Sequence, residues 1–241
     1  DFQVRIRNAI VKRQALDRIM IGFNGVKRAK TSNRAENPLL QDVNKGWLQK
    51  IREDAPDHVM GSTTQDGTTT AGAVKVGKGG DYTNLDAVVM DAVNELIDVV
   101  YQDDDELVVI CGRELLSDKY FPLVNKEQEN SEKIAADLII SQKRMGGLQA
   151  VRAPFFPANA LLITRLDNLS IYWQEDTRRR SVIDNPKRDR IENFESVNEA
   201  YVIEDYRCAA LVENITIGDF SEPAAVQSAP VEEPAETETE E

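Results

Sequence analysis

The stretch that comes nearest to a catalytic motif is residues 72–79, which read GAVKVGKG and precede a helical pattern. A phosphate-binding loop needs a hydroxyl residue directly after its lysine to hold Mg²⁺, but Gly79 occupies that position. The loop interior should also be small and flexible, whereas Val74 and Val76 favour a strand. We therefore interpret this stretch as a strand followed by a glycine turn, with nucleotide binding as the less favoured alternative.

The remaining reactive side chains occur singly. His58 is the one histidine of the chain, so a site with several histidine ligands is excluded. No serine or cysteine shows an elbow motif that would use His58 as a base, and its polar surroundings predict a surface loop. Cys111 and Cys208 lie in apolar, strand-like runs, which predict buried free thiols.

Two charge clusters have alternative interpretations. The carboxylates of residues 103–106 could bind a hard cation through oxygen, but an unspaced acidic run at a turn is more often a solvated surface. The basic residues between Arg178 and Arg190 could contact phosphates or the acidic surface of a neighbouring subunit. Alternation along a strand would divide them between two faces, and the sequence leaves both roles open. We predict no catalytic, cofactor-binding or metal-binding residues and no cofactor.

The negative charge of the chain is concentrated at one end. The net charge is −13, and residues 221–241 contain seven glutamates without a lysine or arginine. Without them, 29 basic residues face 35 acidic ones. The composition of residues 221–241 predicts a disordered acidic tail. No apolar run approaches the roughly 18 residues of a membrane span, so no membrane role is expected.

Hydrophobic spacing places helices mainly in the first half of the chain and strands in the second, which predicts an α+β fold. Helical patterns cover residues 1–23, 38–56, 85–100, 115–121 and 131–145. Because the first pattern is already under way at Asp1, we expect the chain to begin partway through a helix. Strand patterns cover residues 73–76, 107–111, 148–152, 160–165, 169–173, 178–183, 190–196 and 199–217. The continuous apolar run 107–111 predicts a strand buried on both faces.

Long collinear stretches resemble the major capsid proteins of Peduovirus-type tailed phages. They include NPLLQDVNKGWLQK and ELVVICGRELLSDKYFP and lie at residues 16–25, 37–50, 76–82, 106–122, 127–131, 140–144, 169–172, 185–196 and 202–206. The resemblance covers about residues 1–220. The scaffolding segment, N-terminal arm and extended loop that precede this region in family members have no counterpart in the chain, and the acidic tail does not map onto the family.

The resemblance implies the Hong Kong ninety-seven capsid fold, with a peripheral and an axial domain. It implies a spine helix and peripheral domain over residues 1–60 and an axial domain over 61–177. Peripheral-domain return strands would follow over 178–210 and a final strand over 211–220, before the tail at 221–241. The implied function is a non-enzymatic shell protein of the virion, assembled in the host cytoplasm.

The partners implied are copies of the chain itself in pentamers and hexamers, a scaffolding segment, the portal, and double-stranded DNA at the inner surface. Two alternatives remain at this point. One is a cellular compartment shell of the same fold that holds protein cargo. The other is a nucleotide-binding packaging factor that would use residues 72–79.

Overall fold

A computed structural model describes residues 2–65, 68–125 and 143–221 of the chain. Its largest sheet has six strands, which in sheet order are β1 (Val59–Met60), β13 (Ala209–Val212), β8 (Leu161–Arg165), β5 (Leu107–Cys111), β7 (Leu148–Arg152) and β6 (Arg144–Met145). The pairs β1/β13 and β5/β7 are parallel, and the other pairs are antiparallel.

The central sheet separates two hydrophobic cores, because successive side chains on a strand point to opposite faces. In β5, Leu107, Val109 and Cys111 belong to one core, and Val108 and Ile110 belong to the other. All five residues of β5 are buried, which confirms the prediction of a strand covered on both faces. The first core is closed by helix α3 (Leu85–Leu96), and the second by α1 (Phe2–Asn24) and α2 (Trp47–Asp54).

The predicted first helix is confirmed as α1, but the second begins later than its apolar pattern predicts. Residues 38–46 form turns, and α2 starts at Trp47. Leu40 adopts a positive φ of 58°, which a helix does not allow. The buried carboxylate of Asp42 accepts hydrogen bonds from Ser32 Oγ (2.9 Å) and the Asn33 backbone N–H (2.7 Å). Asp42 therefore fixes the preceding loop instead of entering the helix.

The helical pattern of residues 85–100 is interrupted. Helix α3 ends at Leu96, Ile97 is extended, and the short helix α4 (Val99–Gln102) begins after Asp98. The side chain of Asp98 accepts a hydrogen bond from the Val100 N–H at 3.0 Å, which is an N-cap and starts a new helix. Helix α5 (Arg113–Asn125) extends the short helix predicted around Leu115.

The single strand predicted over residues 199–217 is three strands, β12 (Glu199–Ile203), β13 and β14 (Ile215–Ile217). A 3-10 turn at Tyr206–Cys208 ends the first segment, and Asn214, with a φ of 55°, ends the second. Their partners differ, because β12 pairs with β9 (Leu169–Trp173) and β14 pairs with β4 (Val74–Val76). The strand pattern was therefore correct, but its continuity was wrong.

Two further predictions fall partly or wholly outside the described residues. Of the helix predicted over 131–145, residues 131–142 are not described, and Arg144–Met145 form strand β6 instead. Gly146 and Gly147 have positive φ and turn this strand back onto β7, which gives hairpin pairing where a helix was expected. In the predicted tail, residues 222–241 lie outside the description.

Strands β2 (Ser62–Gln65) and β3 (Thr68–Ala71) form a separate pair.

Within the described residues, no helix combines the length and the apolar character needed to cross a membrane.

Candidate subunit interface

An exposed two-stranded ribbon is the most conspicuous surface feature. Strands β10 (Arg179–Asn185) and β11 (Arg190–Ser196) pair along their whole length and join no other strand of the described chain. A 3-10 turn at Pro186–Arg188 links them, and Asp189 then adopts a left-handed conformation. An isolated hairpin is marginally stable in water, so the ribbon needs a partner that the described chain does not supply.

Both faces of the ribbon carry exposed apolar side chains. Directly opposed residues share a face, so Ile183 and Phe194 lie on one face and Val182 and Ile191 on the other. Ile191 is 73% exposed. Contiguous apolar surface of this kind marks contact sites on soluble proteins. The two faces can therefore contact two different neighbours.

Two of the basic residues predicted between Arg178 and Arg190 pair with carboxylates of the ribbon. Arg178 Nε lies 2.9 Å from Glu195 Oε1, and this hydrogen bond lowers the pKa of Glu195 below its usual value. Arg190 Nε donates to Glu192 Oε1 at 2.7 Å. Arg179 and Arg180 lie on opposite faces, as strand alternation predicts. The charges of Arg178 and Arg190 are therefore balanced within the ribbon itself.

A groove of about 730 Å³ lies where the ribbon meets the second half of α1. Its apolar lining includes Ile21, Ile171 and Trp173. Trp173 is 61% exposed at the end of β9, an unusual position for a side chain with so much apolar area. The groove and the ribbon together form one continuous candidate contact region.

A bidentate ion pair fixes one wall of the groove. Arg18 Nε lies 2.9 and 3.0 Å from the two carboxylate oxygens of Glu199, which ties α1 to β12. Tyr201 donates its hydroxyl hydrogen to the Arg18 carbonyl at 3.0 Å, and burial raises the pKa of this phenol. Asn44 Nδ2 donates to the Glu199 carbonyl at 2.7 Å. These contacts hold the wall rigid, and rigidity reduces the entropy lost on binding.

An aromatic cluster supports the same wall from beneath. The Trp47 ring centroid lies 5.2 Å from that of Tyr201 and 5.3 Å from that of Phe23. Trp47 Nε1 donates to the Ser170 carbonyl at 2.9 Å, so its polar atom is satisfied. A Cβ on Gly22 would lie 2.3 Å from Trp47 Cζ3, so glycine is required for α1 to approach the indole. Trp47 thus connects α1, α2, β9 and β12.

The first half of α1 extends away from the rest of the described chain. Residues 2–15 are all exposed, including Phe2 at 76%. The helix becomes half-buried from Leu16 and buried at Met20. Between residues 2 and 16 the sequence carries Arg5, Arg7, Lys12 and Arg13 and no acidic residue.

A polar cluster at the end of β12 holds the connection to the central sheet. Asn168 Nδ2 donates to Thr164 Oγ1 (3.0 Å) and to the Asp205 carbonyl (2.9 Å), and the Asp205 N–H donates to Asn168 Oδ1 (2.7 Å). The Asp205 carboxylate accepts from Arg207 Nη2 and the Tyr101 hydroxyl, both at 2.8 Å. Arg207, and then Tyr101, hold the pKa of Asp205 far below its ordinary value.

Replacing Asp205 with asparagine is expected to destabilise the protein by about 1–3 kcal/mol at pH 7, because charge-assisted hydrogen bonds are lost. The folded-state pKa of Asp205 is depressed. Its contribution is therefore present above the unfolded pKa of about 3.9 and declines as the pH falls toward the folded value. Urea unfolding of both proteins at several pH values will measure this. A stability difference that widens below pH of about 4 would contradict the assignment.

The loop-like motif at residues 72–79 is a strand and a turn, as the favoured interpretation predicts. Strand β4 ends at Val76, and the turn packs against residues 218–221. The Gly77 N–H donates to the Tyr82 carbonyl (2.7 Å), and the Gly80 N–H donates to the Gly77 carbonyl (3.1 Å). The Gly77 N–H is thus not available to a phosphate, and a Cβ on Gly77 would lie 1.9 Å from the Gly218 carbonyl oxygen.

The other sequence candidates lie apart from one another. His58 closes a 3-10 turn and is half-buried, and its Nδ1 has no hydrogen-bond partner among the described residues. The surface loop predicted for His58 is therefore a short 3-10 turn in which the imidazole is partly covered. Cys111 and Cys208 are buried free thiols, as predicted, and burial raises the pKa of Cys111 to about 11.

The acidic run of residues 103–106 faces an arginine. Arg165 lies 3.2 Å from Asp104, 2.6 Å from Glu106 and 2.7 Å from Asp167. This ion-pair network joins the start of β5 to the end of β8. Among the described residues, no cluster of three or more histidine, cysteine or carboxylate side chains is suited to a metal ion.

Sequence reasoning missed the side chains that shape the groove. The helical pattern places Arg18 on the polar face of a helix and gives no sign of a partner, because Glu199 lies 181 positions away. The strand pattern of residues 169–173 places Trp173 at its end and gives no sign that the side chain is exposed. A tryptophan beside the polar residues that follow it was a usable signal, because large aromatic side chains are enriched at interfaces.

Comparison with known proteins identifies the class. The model of the P2 family of phage major capsid proteins matches residues 1–215. A chain in the structure of the satellite phage P4 procapsid including size determination (Sid) protein is 61% identical. It superimposes with a TM-score of 0.82, over 92% of this chain and 66% of that one. The tailed-phage capsid fold expected from the resemblance is confirmed.

Two curated relatives narrow the assignment. The capsid protein of Escherichia phage P2 is 63% identical over 231 residues, and the major capsid protein of Serratia phage KSP20 is 41% identical over 226 residues. These alignments cover 95% and 92% of this chain but 65% and 64% of the relatives, so the chain spans about two thirds of their length. The chain belongs to the P2 family of phage major capsid proteins, a structural rather than enzymatic family.

Proposed function

We propose that this chain is the shell-forming body of a major capsid protein, and that it tiles the pentamers and hexamers of an icosahedral head enclosing double-stranded DNA. The observation that carries the proposal is the ribbon of β10 and β11. In a member of a capsid family, it exposes apolar side chains on both faces and pairs with no other described strand.

The distribution of charge supports assembly from many identical copies. Outside residues 221–241 the chain carries 29 basic and 35 acidic residues, so neighbouring bodies repel one another only weakly. Many moderate contacts within a closed symmetric shell give a combined stability that a single interface does not provide. The function therefore requires complementary shape and not a reactive side chain.

The proposal includes the division into domains implied by the resemblance. Residues 1–60 and 178–210 form the peripheral domain, and residues 61–177 form the axial domain. The ion pair of Arg18 with Glu199 and the aromatic contact of Trp47 with Tyr201 support the first grouping, because both join its two segments.

The proposed partners are those of a capsid subunit during assembly. They are other copies of the chain, a scaffolding segment, the portal, and packaged DNA at the inner surface. The proposed locations are the host cytoplasm during assembly and then the virion.

Electron microscopy of the protein expressed as its gene encodes it tests the proposal. We expect closed icosahedral particles. Soluble monomers at all concentrations would refute it.

The contents of the particles distinguish a phage head from a compartment shell. Nuclease-protected DNA in particles from infected or induced cells would indicate a phage head, whereas a compartment shell would contain protein cargo. A thermal-shift titration with Mg²⁺ and nucleotide is expected to give no saturable shift, and a saturable shift would favour the packaging-factor alternative.

A further inference from the structure

The ribbon is connected to the rest of the chain through a break in the strand pairing. The ladder of β9 and β12 ends at Trp173, and the ladder of β10 and β11 begins at Arg179. The five residues 174–178 between them lie opposite only two, residues 197–198. Extra residues on one strand interrupt a ladder and bend it. These two short segments are called the joint below.

Few hydrogen bonds hold the two strands of the joint together. One bond between backbone groups crosses it, from the Gln174 N–H to the Asn198 carbonyl at 3.0 Å. The Asn198 N–H donates to Thr177 Oγ1 at 3.3 Å, and Asn198 Nδ2 donates to Gln174 Oε1 at 3.2 Å. Asp176 adopts a left-handed φ of 59°. Only Thr177 and Val197 of the joint are partly covered, and exposed hydrogen bonds of this kind open at low free-energy cost.

The ladders on the two sides of the joint differ in their support. In β12, Tyr201 and Ile203 are 2% and 4% exposed and belong to the core that contains Trp47, so this ladder is fixed to the body of the chain. The ribbon strands contribute no residue to either core, and their residues are exposed or half-buried. Seven paired residues hold the ribbon together as one unit. Hinges lie at the ends of elements, where a few residues absorb the change in backbone angles, and the joint has this position.

We propose that the joint is a hinge about which the ribbon swings as one unit relative to the ladder of β9 and β12. In a shell that contains both pentamers and hexamers, identical chains meet their neighbours at different angles. A hinged ribbon allows every copy to keep the same contact at these angles. This use of the hinge rests on the proposed function, whereas the hinge itself does not.

Distances between pairs of spin labels on the 241-residue chain test the hinge. The labels are attached to introduced cysteines, because Cys111 and Cys208 are buried, and labelled chains are diluted with unlabelled ones to remove distances between copies. Ser181→Cys with Asn94→Cys connects the ribbon to α3. Glu53→Cys with Asn94→Cys connects α2 to α3 within the body. We expect the first distance distribution to be at least twice as wide as the second, and equal widths would overturn the hinge.

A pair of labels within the ribbon distinguishes swinging from unfolding. Arg179→Cys with Lys187→Cys places both labels on the ribbon, near its two ends. We expect a distribution as narrow as that of the pair within the body, because the ribbon moves as one unit. A broad distribution would show that the ribbon itself loses its pairing, which would overturn the proposal.

Two variants of the joint change the motion in opposite directions. Deleting residues 175–177 leaves two residues opposite two, so β9 and β10 can continue as one regular strand. The deletion should narrow the distribution between ribbon and body to that of the body pair. Thr177→Val keeps the length and shape of the joint but removes the hydroxyl bonded to the Gln174 carbonyl (2.7 Å) and the Asn198 N–H. This variant should widen the distribution, and an unchanged width would contradict the hinge even if the deletion variant does not fold.

Particle formation tests the use of the hinge separately. In the protein expressed as its gene encodes it, deletion of residues 175–177 is expected to lower the particle yield at least tenfold, while the label distances show that the subunit remains folded. Normal particles from this variant would overturn the role of the hinge in assembly. Absence of particles from the unaltered protein would refute the proposed function instead, and the label distances in the 241-residue chain would still decide whether the hinge exists.

Discussion

Replacing Trp47 with alanine is expected to lower the free energy of unfolding by about 3–5 kcal/mol, the range for a buried tryptophan. The side chain is 6% exposed and packs between Phe23 and Tyr201. Its loss leaves a cavity where α1, α2, β9 and β12 meet, and it leaves the Ser170 carbonyl without its donor. Gly22 cannot fill the space, because it has no side chain.

The second tryptophan of the chain is the matched control. Trp173 is 61% exposed, and Trp173→Ala is expected to change the unfolding free energy by no more than about 0.5 kcal/mol. Chemical unfolding followed by far-ultraviolet circular dichroism measures both variants without relying on the removed fluorophore. Equal destabilisation by the two substitutions would show that Trp47 does not have the structural role assigned to it.

Aspartates on one face of the ribbon are expected to prevent assembly without unfolding the subunit. Val182→Asp with Ile191→Asp places two charges where exposed apolar side chains stand. Burying unpaired charges at a contact costs several kcal/mol, and each 1.4 kcal/mol weakens an association about tenfold. Particle yield should therefore fall by at least about tenfold, while the unfolding free energy changes by less than about 0.5 kcal/mol because both sites face solvent.

The neighbouring position Asn193 provides the control for the ribbon. Asn193→Asp adds a carboxylate to the same face at a polar site, where Arg180 Nε already donates to the side-chain oxygen at 3.3 Å. We expect particles in normal yield from this variant. Particle counts by electron microscopy and sedimentation of the protein as its gene encodes it distinguish the variants. Normal assembly of the doubly substituted protein would exclude this ribbon face as a contact between copies.

Local sequence patterns were sufficient to predict most elements. The hydrophobic spacing of α1 predicts a helix, and the unbroken apolar run of β5 predicts a buried strand. Such patterns suffice because hydrophobic periodicity reflects which faces of a segment are buried. The glycine at position 79 was enough to disfavour a nucleotide site. Hydrophobic patterns that continue across a break were less reliable. Asp98 starts a new helix as its N-cap, and Asn214 interrupts a strand by its left-handed backbone conformation. Neither effect is visible in the hydrophobic pattern.

The α+β class, the family, the buried cysteines and the concentration of seven glutamates in residues 221–241 could all be predicted from the amino-acid sequence. The pairs of residues that contact one another could not. Tertiary structure paired Arg18 with Glu199 across 181 positions, brought Trp47 between Phe23 and Tyr201, and left Trp173 and the ribbon uncovered. This difference arises because hydrophobic periodicity indicates whether a side chain is buried but not which residue buries it. The contacting residue depends on the register and topology of segments that are far apart in the sequence.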